Sequence, residues 1–254
     1  MARDQRDNYY YKAKKDGYRS RASYKLKQIN AKYEVIKKGD TIVDLGAAPG
    51  GWLQVAKELS GGIVVGVDLQ RIIPIDGVAT IKGDITKDKT IEKILEIIKV
   101  ADVVLCDAAP NLTGSWNVDH GRSIDLSKMA LDCACKILKP NGMFVVKVFE
   151  GDMFKNYFDL VKRNFSFVKT YSPHASRDAS AEVYVIAKKF LKTPVRLGDV
   201  LNVKIETLGE QGDGIVMVEG FCVFVKGAGE GDNVRIKIKD VKPNFAFADV
   251  LHQS

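Results

Sequence analysis

A lysine interrupts an otherwise apolar run. Lys147 lies in GMFVVKVF, a stretch that reads as a central β-strand. Burying an ammonium without a partner is strongly unfavourable, so this amine is paired, deprotonated, or beside a site. Three more polar residues stand where packing alone would not put them. Asp107 ends ADVVLC and precedes Ala-Ala-Pro-Asn, and Glu182 opens EVYVIA. Lys25 follows RSRASY, on the edge of a helical stripe formed by Ala22, Leu26 and Ile29. Amines and carboxylates gathered in one place can hold, orient or move a proton. The alternative is that each belongs to an unrelated surface ion pair.

A second set of residues suits a nucleoside cofactor. TIVDLGAAPGGW is a short apolar strand ending in Asp44, then the loop from Gly46 to Gly51, then a helix beginning near Trp52. A second apolar run, IVVGVDL, ends on Asp68. Glycines let backbone approach a ligand, a helix start offers free N–H groups, and an acid after the second strand takes a ribose hydroxyl pair. The loop departs from G-x-G-x-x-G, because Ala48 occupies the place of the glycine that admits a pyrophosphate. A cofactor without phosphate, such as S-adenosylmethionine, therefore suits the loop better than NAD. Two competing readings remain at this point: a dehydrogenase-like enzyme, and an RNA-binding module with a vestigial cofactor site.

The elements that must position these residues alternate. Strand-like runs fall at 41–45, 63–69, 79–82, 101–107, 142–149, 166–172 and 181–188, with helical periodicity at 50–59, 89–99, 121–138 and 152–163. Such alternation predicts an α/β, Rossmann-like doubly wound sheet of seven strands. Only SPHASRDAS joins the last two, too short for a helical crossover, so the seventh strand runs antiparallel. Its amino end then shares an edge with the carboxyl ends of the others. That topology brings Asp107, Lys147 and Glu182 to one edge, and Lys25 joins them if its helix packs there. From Val195 the text changes to short strands with turn glycines, which reads as a small all-β barrel. The division expected is 1–192 and 193–254. In the second part Arg235, Lys237 and Lys239 alternate along one strand and share a face, as either a solvated face or an RNA contact.

The net charge of +7 is unevenly placed. Residues 1–38 hold 12 Lys/Arg against 4 Asp/Glu, and the remaining chain holds 27 against 28. Tyr9, Tyr10, Tyr11, Tyr18 and Tyr24 are interleaved with this basic arm. Basic side chains neutralise phosphates and tyrosines offer faces for unpaired bases, which favours RNA over a solvated tail or an anionic membrane. No apolar run approaches the ~20 residues that span a bilayer, and the start of the chain lacks the apolar core of a secretory signal. Cys106, Cys133, Cys135 and Cys222 form no CxxC pair, so neither a disulfide scaffold nor a zinc site is expected, and a reducing cytoplasm is the expected location.

RSRASYKL, DLGAAPGGW, CDAAPNLTG, FVVKVFEG and SAEVYVIA, in that order, resemble the FtsJ (RrmJ) family of ribosomal RNA ribose 2′-O-methyltransferases over about residues 15–190. Residues 193–252 resemble a TRAM domain, an RNA-binding β-barrel, and the combination resembles the archaeal branch of the family. The resemblance implies a catalytic tetrad at Lys25, Asp107, Lys147 and Glu182. It also implies S-adenosylmethionine held by Gly50, Trp52, Asp68, Asp84 and Asp107, with no metal. On that reading Lys147 is the general base, its pKa pushed down by burial and by Lys25. Asp107 orients it, while Lys25 and Glu182 form a supporting pair. The implied substrate is a uridine of large-subunit rRNA, within the large ribosomal subunit; tRNA is the alternative, and no obligate protein partner is implied. The TRAM-like segment departs from a basic RNA-binding module, with 7 Lys/Arg against 9 Asp/Glu from Val195 onward.

Overall fold

The computed structural model describes residues 7–177, 181–210 and 212–251. The first six residues of the basic arm and part of the SPHASRDAS loop therefore lie outside the described residues. The main sheet is built from β1 (Ile42–Leu45), β2 (Val64–Asp68), β3 (Val78–Lys82), β4 (Ala101–Cys106), β5 (Leu138–Phe149), β6 (Phe165–Tyr171) and β7 (Glu182–Phe190). Its order is β3-β2-β1-β4-β5-β7-β6. Pairs from β3 through β5 are parallel, and β7 runs antiparallel to both β5 and β6. The antiparallel last strand expected from the short loop is present, inserted between β5 and β6.

Apolar sequence explains the sheet's depth. All four residues of β1 are buried, as befits a parallel strand covered on both faces. Helices α3 (Gly51–Ser60) and α2 (Ser23–Tyr33) bury Leu26, Ile29, Trp52 and Leu53 with Val145, Tyr184 and Ile186 of the sheet. On the other side α4 (Asp88–Ile97), α5 (Trp116–Ile137) and α6 (Phe154–Lys162) bury Ile94, Ile124, Leu131 and Tyr157 with Val104, Phe144 and Val185. Two boundaries differ from the sequence-based expectation by four residues or more. Helix α5 begins at Trp116 rather than 121, because Asp119 folds the preceding loop onto the helix start by accepting from Thr113 N and Gly114 N. Strand β5 begins at Leu138 rather than 142. Lys139-Pro140-Asn141-Gly142 carries turn residues, yet Leu138 still pairs with Ala101 across a register irregularity.

Strand order reverses between β1 and β4, which opens a crevice beyond their carboxyl ends, where open α/β sheets bind ligands. The basic arm contributes α1 (Asn8–Lys15), capped by the Asp7 carboxylate on Tyr10 N and anchored where Ala13 is buried with Tyr24 and Ala175. The second sheet comprises β8 (Val200–Lys204), β9 (Thr207–Leu208), β10 (Gly214–Val218), β11 (Phe221–Lys226), β12 (Asn233–Val241) and β13 (Phe245–Val250). It curls around Val216, Val223, Val225, Ile236 and Ile238, with β8 and β9 as its outer strands. Strand β12 alternates as expected, with Ile236 and Ile238 inside and Arg235, Lys237 and Lys239 exposed. Lys239 is partly neutralised by Asp249 at 3.3 Å.

Candidate active site

The four polar residues singled out from the sequence meet. Glu182 faces Phe149 across the β5–β7 ladder, and Lys147 faces Tyr184, so alternation puts Lys147, Phe149, Glu182 and Tyr184 on one face. Helix α2 packs over that face and carries Lys25 to Glu182, Nζ to Oε2 at 2.8 Å. Lys147 Nζ lies 3.8 Å from the other Glu182 oxygen, 3.1 Å from Asp107 Oδ1, and donates to the Asp107 main-chain carbonyl at 2.6 Å. The result is one continuous chain of charge, Lys25–Glu182–Lys147–Asp107. The two lysine side chains are buried, and those of Asp107 and Glu182 are partly exposed, at 16% and 19%.

The protonation of Lys147 departs from expectation. Burial pulls its pKa down, as anticipated, but Asp107 and then Glu182 outweigh burial, and the amine ends above its ordinary value. Lys25 fails to oppose this because Glu182 stands between the two amines and pairs with both. The free protein therefore holds Lys147 as an ammonium.

Tyr184 is a site residue that the sequence alone did not single out. Its hydroxyl donates to Asp107 Oδ1 at 2.6 Å, and burial, reinforced by Asp107, keeps it a phenol far above its usual pKa. Its ring stacks on Trp52 at 5.8 Å. The available signal was spacing: Tyr184 lies two residues after Glu182 on the same strand and so on the same face.

Beyond the tetrad the crevice is a cleft of ≈ 150 Å³ lined by Asp44, the 46–49 loop, Gly51, Trp52 and Asp107. Gly50 caps α3 with φ +106°, a left-handed conformation that glycine adopts freely and that turns the loop into the helix. At Gly46 a side chain would collide with Ala108, so the loop after β1 lies directly against the loop after β4. Arg19 clamps this region by donating to the carbonyls of Pro49, Ile73 and Pro74, at 3.2, 2.5 and 2.7 Å. Asp68 accepts from Ala48 N at 2.9 Å and Gln70 N at 2.7 Å, which ties strand two to the loop.

The other expected cofactor residues divide. Trp52 lines the cleft, but its indole N–H is spent on the Ala22 carbonyl at 2.8 Å. Gly50, Asp68 and Asp84 lie outside the cleft lining, and the Asp84 carboxylate is turned onto Thr86 N and Oγ1. Its connection to the site is its neighbour Gly83, whose N–H reaches the Asp68 carbonyl.

Asp44 tests whether a cationic cofactor fits. Both its carboxylate oxygens are buried without a hydrogen-bond partner among the described residues. Burial, then Asp107, then Asp68 push its pKa well above the carboxylate range. An acid crowded by two acids is complementary to a ligand that carries positive charge and hydrogen-bond donors, as a sulfonium amino acid does. S-adenosylmethionine fits that donor set. Among the described residues no group of three or more His, Cys, Asp or Glu side chains is arranged to hold a metal ion. No described helix is long and apolar enough to cross a membrane.

Comparison with known proteins gives a consistent result. The FtsJ-like methyltransferase profile matches residues 18–190, and the TRAM domain profile matches 194–251. Ribosomal RNA large subunit methyltransferase E of Methanosarcina mazei is 67% identical over 98% of this chain and 94% of that one. The protein of the same name from Methanothrix thermoacetophila is 59% identical over the full length of both. Among solved structures, a Plasmodium falciparum protein described as a ribosomal RNA methyltransferase superposes with a TM-score of 0.63. It is 32% identical, over 68% of this chain and 99% of its own.

Proposed function

We infer the reaction from the premise that this chain belongs to the FtsJ-like methyltransferase family. It is an RNA methyltransferase that transfers a methyl group to a ribose 2′-hydroxyl of ribosomal RNA. The observation that carries this reading is the partly buried chain Lys25–Glu182–Lys147–Asp107, which meets an acid-lined glycine cleft at Asp107. The names of the full-length relatives support rRNA over tRNA as the substrate.

A ribose hydroxyl is a weak nucleophile until a base takes its proton. Lys147 Nζ is that base. It must first release the proton it holds in the free protein, so activity rises with pH. Asp107 fixes Nζ through its carboxylate and its carbonyl, and Tyr184 fixes Asp107. The Lys25–Glu182 pair supports the other side of the amine and positions the ribose. S-adenosylmethionine, when bound, supplies an electrophilic methyl that carries its own leaving-group activation. Gly50, the Trp52 backbone N–H, Asp68, Asp84 and Asp107 are its proposed contacts, and Asp44 adds a carboxylate suited to its cationic end. Residues 1–192 are proposed as the methyltransferase domain with its basic arm, and 193–254 as an RNA-binding TRAM domain.

The proposed substrate is a uridine of the large-subunit rRNA, methylated in the assembled or nearly assembled subunit in the cytoplasm. Mapping 2′-O-methyl groups on rRNA and tRNA from cells with and without the protein tests this. Loss of one large-subunit uridine methyl with tRNA unchanged is the expected result. Loss confined to tRNA would overturn the substrate assignment.

A further inference from the structure

Beside the tetrad lies an aromatic residue that the reaction chemistry leaves unused. Trp116 is the first residue of α5, where the chain enters from the exposed loop 111–115. Half of it is exposed, at 50%, unlike Trp52, which is 3% exposed. Its ring is held nonetheless. It stacks nearly parallel on His120, at 5.9 Å and 13°, and on Phe149, at 6.3 Å and 18°. Each support is itself fixed. His120 is buried and accepts the Met153 N–H at 3.2 Å, and Gly151 lies so close that a Cβ there would come within 2.8 Å of the imidazole. Phe149 is buried and donates its N–H to Ser123 Oγ.

Phe149 also sets where the indole lies. It is two residues beyond Lys147 on β5, about 7 Å along the strand, and directly opposite Glu182. The half-exposed indole therefore lies against a ring that is two residues from Lys147 on the same strand. The loop that delivers it is pinned, with Asp119 accepting from Thr113 N, Thr113 Oγ1 and Gly114 N at 2.7, 2.8 and 3.0 Å. A large flat ring held rigidly in partial contact with water loses little freedom when a second flat ring covers it.

We propose that Trp116 is a stacking platform for an unpaired base of the substrate RNA, adjoining the ribose that Lys147 deprotonates. The proposal rests on the RNA methyltransferase reading above and adds how the reacting nucleotide is held. Single-stranded RNA is recognised through bases splayed onto aromatic faces, and such stacking tolerates any base. Trp116 thus supplies placement of the strand, while base identity is read elsewhere.

Single-turnover methyl transfer from saturating labelled S-adenosylmethionine tests it. The RNA is titrated as large ribosomal subunits from cells lacking the enzyme. Trp116→Ala is expected to raise the half-saturating RNA concentration by about 5- to 150-fold, the worth of one base–aromatic stack. Trp116→Phe should restore most of that affinity, and cofactor binding measured by calorimetry should be unchanged in both. Transfer by Trp116→Ala with unaltered half-saturation would overturn the platform and leave the methyltransferase reading standing. Equal losses in Ala and Phe variants, with a common fall in melting temperature, would also overturn it by reducing Trp116 to a packing residue. A wild-type protein that methylates no RNA would sink the underlying reading, and the platform with it.

Discussion

Two substitutions should move the titration of Lys147 in opposite directions. Asp107 Oδ1 lies 3.1 Å from Nζ and is the largest influence raising the amine's pKa against burial. A unit charge at that distance interacts by ~5 kcal/mol at an effective dielectric of about 20, an upper bound on what removing it releases. Neighbouring charges in proteins move titrations by ~1–3 pH units. Asp107→Asn keeps the shape and the carbonyl contact at 2.6 Å, so the midpoint of Lys147 should fall by ~1–3 pH units. Lys25→Met does the reverse. It removes one cation and releases the Glu182 oxygen held at 2.8 Å, which strengthens the negative field on Lys147 and raises its midpoint. Lysine-selective NMR titration of the free protein reads both, and pH–rate profiles should shift the same way. Because the folded pKa is raised, the stabilisation from this amine is fully present below the ordinary lysine range and is lost only as pH climbs through the raised value. Melting temperature should therefore show no step from this group near neutrality. If Asp107→Asn leaves the midpoint unmoved, or if both variants shift it the same way, the charge chain does not control the base.

Lys147→Ala should lower single-turnover methyl transfer by ~10²–10⁴-fold with cofactor affinity nearly intact; retention of more than about a tenth of the rate would exclude a base. Asp68→Ala should weaken S-adenosylmethionine binding by ~2–4 kcal/mol in calorimetry, through the removal of charged hydrogen bonds and a loosened Ala48 loop, and unchanged affinity would make that acid purely structural. Asp44→Asn should stabilise the cofactor-free protein while weakening cofactor binding. Its raised pKa means that its contribution to stability is present below the carboxylate range and lost as pH rises, so relief of ~1 kcal/mol at neutral pH would lift Tm by ~2–4 °C. Gln at Lys12, Lys14 and Lys15, which spares the Ala13 anchor, should flatten the log–log salt dependence of RNA binding by ~0.7–0.9 for each phosphate no longer neutralised. Removing 193–254 should flatten it less.

What the sequence made legible follows from what each signal encodes. An ionisable residue inside an apolar run announces itself, and Lys147, Asp107 and Glu182 stand out that way. One short loop then fixes the direction of β7 and brings Glu182 to the right edge. Position in the run could not reveal the sign of the Lys147 shift, because that depends first on Asp107 at 3.1 Å and then on Glu182 standing between the two amines at 2.8 and 3.8 Å. Asp44 carries the same signal as Lys147, an acid within a buried strand, yet it reads as the end of β1 because a loop follows. Trp116 leaves no trace, since it lies five residues ahead of the expected helix start and gains meaning only through Phe149 and His120.

The distribution of charge explains why the basic arm exists. Lys25 and Lys147 offset Glu182 and Asp107 at the tetrad, and Asp44 then adds acid to the crevice, with Asp68 near enough to act on it. Such a centre attracts a cationic cofactor and repels a phosphate. An RNA strand must nevertheless bring a ribose to Lys147, so its phosphates need compensation from outside the crevice. The second sheet supplies little of it, being slightly acidic overall and having Lys239 paired with Asp249. We propose that the surplus on residues 1–38 supplies it instead, and α1 is joined through Tyr24 to α2, the helix that carries Lys25. On that proposal one short stretch of chain both neutralises the substrate and brings Lys25 to Glu182.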